Sequence, residues 1–348
     1  MRIRLMPAIL TLFLCASFLF AKLLFANPAA GAANSGAAKS GAAKYGAGKY
    51  PTETRNAALR YWMAFAEMQD TWADKATQDL LEKTAAGEAP WDEAKLAPIL
   101  DANADAISVL QRATKLPDCD WGLEYGRGWK ASIAYAPRAR ALARLNTLEG
   151  MRQLAKGDSQ SAVNTWLAGI RLSQDLTRGG SLIFALMAKN VLLPDLRLLA
   201  QTARNGQLSD AEKQEVIVAV RAMPEDGFDW GSAWGIETVS TSDLLHELQT
   251  ASDPGATYQE IMGKPGPKQG LPPTAEDVQG FREYMAAVAG ALREPPATAA
   301  PLIAGLQAKL QGLGEVERSM TPNPQGVNAA RIEVTTARAD LLAALSAK

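Results

Sequence analysis

Residues 181–203 constrain this chain more than any other stretch. Leu182, Ile183, Phe184, Leu186, Met187, Val191, Leu192, Leu193, Leu196, Leu198 and Leu199 leave almost no polar side, and a helix that is apolar all round survives in water only when other helices enclose it. Lys189, Asp195 and Arg197 argue against a bilayer span. Pro194 lacks an amide hydrogen and is expected to kink or restart the helix. The fold must therefore be built around one central helix.

The surrounding sequence supplies the other helices. Leu59, Trp62, Phe65, Ala66, Gln69, Trp72, Ala76 and Leu80 recur in steps of three and four, which predicts one helix with a wide aromatic face. A second helix is expected over 92–114. A third is expected from Pro137 through Leu142, Leu145, Leu148 and Leu154 to Lys156-Gly157. Asp158 can cap a fourth with Val163, Trp166, Leu167, Ile170 and Leu176 on its face, ending at Gly179-Gly180. Ser209 and Glu212 form a capping box. Further helices are predicted over 232–250, 274–292, 297–310 and 327–345, and no segment alternates as a strand would. The fold class is all-α, an irregular multi-helix bundle of αα-hairpins around the buried central helix.

The chain divides by composition. Residues 1–26 read as a secretory signal or a retained anchor: Arg2 and Arg4 precede an apolar run from Pro7 to Ala21, and Leu23–Ala26 extends it past Lys22. Segment 7–26 is long enough to span a bilayer if Lys22 reaches the interface, so cleavage and anchoring both stand. Cys15 follows Leu14 and is a poor lipoprotein signal. Residues 27–50 repeat Ser-Gly-Ala-Ala-Lys and form a flexible linker. Residues 51–252 make the main helical domain. Pro254, Pro265, Pro267, Pro272 and Pro273 mark 253–273 as a long surface loop, and 274–348 hold C-terminal helices expected to pack on that domain.

Charge and composition exclude several functions. Residues 1–50 hold six basic side chains and no acid, leaving 30 positive and 37 negative charges in the rest. Such a body repels phosphate backbones, so nucleic acid is not a partner, and membrane contact is expected only through the N-terminal segment. One His and two Cys cannot supply a zinc site or disulfide scaffold. Cys119 lies between Asp118 and Asp120, which disfavour a thiolate, so it is expected to be buried and inert. His246, three residues after Asp243, fits a surface ion pair. No nucleophile elbow, phosphate loop or dinucleotide fingerprint occurs, so no catalytic residue, metal site or cofactor is assigned.

The hairpin from Ala141 to Leu176, with Gly150, Ala162, Trp166 and Gly169 at close-packing positions, resembles the second half of a tetratricopeptide repeat. No second copy follows at the repeat's spacing. The wider stretch from Cys119-Asp120-Trp121-Gly122 through Pro137, Arg140, Leu142-Ala143-Arg144-Leu145, Gly157 and Ala162 to Leu172 resembles a family of exported, all-helical bacterial proteins of planctomycete-like type. That resemblance implies a repeat-like helical core outside the cytoplasm and brings no catalytic residues with it.

One internal echo remains. Asp120-Trp121-Gly122-Leu123-Glu124-Tyr125-Gly126 recurs as Asp229-Trp230-Gly231-Ser232-Ala233-Trp234-Gly235. In a structural reading each Asp caps a helix, each Trp plugs the core and each Gly permits the turn. In a functional reading the copies face each other and present Asp120, Glu124, Asp229 and Glu237 with Trp121, Tyr125, Trp129, Trp230 and Trp234 around a ligand-binding cleft. The expected function is an exported scaffold in the periplasm or cell envelope that binds a protein or peptide partner. The alternative is a glycan-binding protein or hydrolase using the two Asp-Trp-Gly segments.

Overall fold

The computed structural model describes residues 53–69, 74–131, 133–267 and 269–347, with the side chain of Trp129 left out. The expected signal or anchor over 1–26, the linker over 27–50 and Trp72 lie outside the described residues. The helices are α1 (Ala57–Glu67), α2 (Lys75–Ala85), α3 (Glu93–Ala102), α4 (Ala104–Ala113), α5 (Tyr135–Ala155), α6 (Ser159–Thr177), α7 (Leu182–Arg204) and α8 (Asp210–Ala222). They continue as α9 (Trp230–Thr250), α10 (Pro254–Met262), α11 (Ala275–Ala291), α12 (Pro296–Gly305), α13 (Gln307–Gly312), α14 (Glu315–Met320) and α15 (Pro324–Ser346). A 3-10 turn spans Tyr125–Lys130. Among the described residues the only β pairing is one bridge between Asn56 and Asp118, so the fold is all-α.

The apolar helix is the axis. α7 packs against α6 on one side and α15 on another, and also meets α5 and α9. It runs through Pro194 as one uninterrupted helix, so the expected restart does not occur. Asn190, whose carbonyl loses its partner to the proline, is exposed and can bond water. No helix among the described residues is long and apolar enough to cross a membrane.

Small residues set the approach of α5, α6 and α7. A Cβ at Gly150 in α5 would overlap the indole of Trp166 in α6, which donates from Nε1 to the Thr147 carbonyl at 3.1 Å. The turn between α5 and α6 uses Gly157 at φ +83°, and Asp158 caps α6 by accepting from the Ser161 amide at 3.0 Å. The capping box of α8 is complete, with Glu212 N donating to Ser209 Oγ and Ser209 N donating to Glu212 Oε2.

Several expected elements differ. The first long helix is two, α1 and α2, and its buried face is Ala57, Ala58, Tyr61, Ala64 and Phe65 rather than the stripe through Leu59 and Trp62. Both stripes have helical spacing, but the alanine-rich one lets α1 lie close against α4. The helix expected over 92–114 breaks at Asn103, whose buried amide donates to the Ile99 and Gln69 carbonyls and accepts from Gln69 N at 2.9 Å. That side chain is drawn into backbone pairing that a continuous helix would not offer.

The α5 helix opens at Tyr135, with Pro137 as its third residue. The expected loop over 253–273 contains α10, started by Asp253 accepting from Ala256 N and by Pro254 in the first turn. Tyr258 and Ile261 anchor it to the core. The helix expected over 297–310 divides at Leu306. His246 makes no ion pair with Asp243 among the described residues; its Nδ1 lies 3.4 Å from Gln249 Oε1.

Candidate functional site

The two Asp-Trp-Gly segments fold differently. Asp229 caps α9, accepting from Ser232 N at 2.9 Å, and this bond holds its carboxyl below the usual carboxylate range, with Arg293 contributing. Asp120 caps no helix. Its Oδ1 accepts from Gly122 N at 2.9 Å in a local turn, Gly122 takes φ +65°, and the Asp120 backbone pairs with the Asn56 side chain. The two aspartates share no partner among the described residues.

The tryptophans do plug the core. Trp121 stacks on Tyr135 at 4.2 Å and on Tyr61 at 5.5 Å, and its Nε1 donates to the Asp175 carbonyl at 2.8 Å. Trp230 donates to the Asp226 carbonyl at 2.9 Å, while Asp226 Oδ2 pairs with the buried Arg331 at 2.7 Å. Trp234 is fully buried. Glu124 is exposed and paired with Arg127 at 3.1 Å. Glu237 is half-buried, and desolvation alone pushes its carboxyl up. Trp129 lies in the 3-10 turn, and its side chain is outside the described residues. The buried indoles of Trp121, Trp230 and Trp234 offer no stacking face to a ligand.

Behind Trp121 is a buried polar knot. Asp175 Oδ2 accepts from Tyr61 Oη at 2.9 Å, and Arg171 and Arg178 lie at 3.3 Å and 3.6 Å from Oδ1. Burial pushes the Asp175 carboxyl up against the lowering effect of those arginines. Cys119 is buried beside the same residue, and burial followed by the Asp175 charge pushes its thiol up to about 12. The thiol is buried as expected, and burial and Asp175 rather than Asp118 and Asp120 disfavour its thiolate.

Two surface features remain, one apolar and one polar. The apolar ridge is made of side chains on α1 and α9 that are linked through the buried Tyr135 and the Gly179-Gly180 turn. Trp62 meets Tyr135 edge to face at 5.9 Å, and Tyr125 donates from Oη to the Gly179 carbonyl at 2.7 Å, while both Tyr125 and Ile236 border Gly180. Along this line Leu59, Met63, Tyr125 and Val239 are 53%, 55%, 54% and 61% exposed. Arg60 near it pairs with Glu53 and Lys130 with Glu247, each at 2.8 Å, whereas Glu237 has no ion pair among the described residues. Tyr125 was visible in the sequence, but Trp62 was expected in the core and Leu59 with it.

The polar feature is an open trough of about 470 Å³ along α6, walled by the end of α4, by Gln153 of α5 and by Glu215 of α8. Ser161, Asn164, Thr165, Ala168 and Arg171 form its floor at helical spacing. Gln111 donates to Thr165 Oγ1 at 3.1 Å, and Thr165 donates to Gln153 Oε1 at 2.8 Å. Sequence reasoning missed this trough, although the polar stripe opposite Val163, Trp166 and Ile170 was its signal. Compared with protein-family models, curated proteins and solved structures, the chain matches none.

Proposed function

We propose that this protein is an exported helical scaffold that binds a protein partner in the bacterial cell envelope through the ridge formed by Leu59, Trp62, Met63, Tyr125, Ile236 and Val239. The observation that carries this reading is the exposure of these large apolar side chains on α1, the 3-10 turn and α9, which are linked through the buried Tyr135 and the Gly179-Gly180 turn. A contiguous apolar surface rimmed by polar groups is the kind that partners cover, and Trp, Tyr and Met are the side chains enriched in interface cores. Because Arg60, Arg127 and Lys130 beside it are already paired, the fitting partner presents an apolar face of low charge.

The test is photo-crosslinking in cells from residues 63 and 239, with residue 218 as control. Val218 is equally exposed but sits on α8, away from the ridge. The reading expects one discrete heterologous adduct in the envelope fraction from 63 and 239, none from 218, and its loss in Trp62→Ser and Tyr125→Ala. Adducts of equal yield from 218, no adduct at all, or an adduct of twice the chain's own mass would overturn it.

A further inference from the structure

The α6 trough is chemically unlike the ridge. Apart from Leu167 and Ala168 its lining residues carry carboxamide, hydroxyl or charged groups, and the stems of those side chains give it apolar wall as well. Gln111, Thr165 and Gln153 bond one another, and the carboxamide positions that this leaves on Gln111 and Gln153 line the trough together with Asn164, Ser161 and Thr114. The volume of about 470 Å³ falls in the range of small-molecule sites.

The trough is also polarised. Glu215 stands at the first turn of α6, where it accepts from Gln160 Nε2 at 3.0 Å. Arg171 stands ten residues further along, about 15 Å at helical rise, and its guanidinium reaches the Leu116 and Pro117 carbonyls at 3.4 Å. Those contacts place Lys115, next in sequence to Leu116, at the same end. Arg171 is largely neutralised by Asp175, whereas Lys115 is exposed and pairs with no carboxylate among the described residues.

From this geometry we propose that the trough is a binding site for a small carboxylated sugar, with its carboxylate at Lys115 and its hydroxyls along Asn164, Gln111 and Gln153. Ring hydroxyls both donate and accept, as the lining does, and their hydrogen bonds substitute for the water that the sugar displaces. An ammonium-bound carboxylate makes the strongest contact in such a site, because a charge-assisted bond exceeds a neutral one.

Isothermal titration calorimetry of the full chain with digalacturonate, its dimethyl ester and trialanine tests the assignment. Saturable binding of digalacturonate is expected, weakened about tenfold by removal of the ligand charge in the ester or by Lys115→Met. Asn164→Ala, also at an exposed position, is expected to weaken binding without moving the thermal transition. Equal affinity for the ester or for trialanine, unchanged affinity in both variants, or no heat of binding at millimolar ligand would overturn the proposal. The ridge variants Trp62→Ser and Tyr125→Ala should bind digalacturonate as the parent does, so the two sites fail or stand separately.

Discussion

Gly169 of α6 and Asp195 of α7 fit together because only one of them has a side chain: a Cβ on Gly169 would overlap Asp195 Oδ2. Asp195 is fully buried, its Oδ1 accepts from Thr147 Oγ1 at 2.7 Å, and its Oδ2 has no hydrogen-bond partner among the described residues. Gly169→Ala should therefore destabilise the protein by about 1–3 kcal/mol through overpacking. Urea denaturation at constant pH measures it, and a loss below about 0.5 kcal/mol would show that α6 and α7 can part without cost.

The same carboxyl makes a pH prediction. Desolvation pushes Asp195 well above its ordinary value, with the Thr147 bond opposing weakly. The folded state keeps a proton that the unfolded chain releases above about pH 4. This contribution to stability is complete below that pH and is lost as pH rises toward the folded value. Asp195→Asn keeps a donor at that position and removes the titration, so the variant should gain on the parent between pH 4 and pH 7. Denaturation midpoints that run parallel across this range would contradict the protonated state.

The two Asp-Trp-Gly aspartates should respond unequally to truncation. Asp229→Ala removes a helix cap and should cost about 1 kcal/mol, whereas Asp120→Ala removes a local turn bond at an exposed site and should cost about half as much or less. Chemical denaturation of the two variants compares them directly.

Asn103 is more demanding. Its buried amide joins the end of α3 to the chain leaving α1 through both faces of Gln69. Asn103→Ala should cost about 2 kcal/mol or more, because the Gln69 amide and carbonyl, in a part-buried site, lose their partner among the described residues. Hydrogen exchange at Gln69 should accelerate in the variant, and protection equal to the parent's would refute this role.

These sites show where sequence pattern suffices and where it does not. The central helix, the α5–α6 hairpin and the caps at Asp158 and Ser209 were legible because each depends on local spacing: an apolar run, a Lys-Gly turn, an acceptor before an amide. The face of α1 was not, because Leu59-Trp62 and Tyr61-Phe65 have the same period, and the choice between them was made by the alanines that α4 can approach. Asn103 and Asp253 misled for a related reason. A polar residue within a helical pattern and a proline after an acid read as continuation and as loop, yet one bonded across the fold and the other started α10. The Asp-Trp-Gly echo was legible in its tryptophans, which plug the core in both copies, and illegible in its aspartates, whose roles depend on whether a helix follows. The trough was missed because its lining comes from four separate segments, and no one of them carries a motif.

The aromatic column around Trp121 has a consequence for how the molecule comes apart. Among the described residues of 114–134 regular structure is confined to a 3-10 turn and the bridge at Asp118, and a stretch so poor in it would ordinarily open by itself, far below the cost of global unfolding. Here the indole is clamped in series with Tyr61 and Phe65 of α1, Tyr135 of α5 and, beyond it, Phe184 of α7, with Tyr135 and Phe184 at 5.2 Å. Extracting the segment breaks the indole's contacts with α1 and α5 and its bond to the Asp175 carbonyl of α6 at once. The irregular part of the chain is thereby enlisted in the same cooperative unit as the central helix, and it acts as a keystone rather than a hinge.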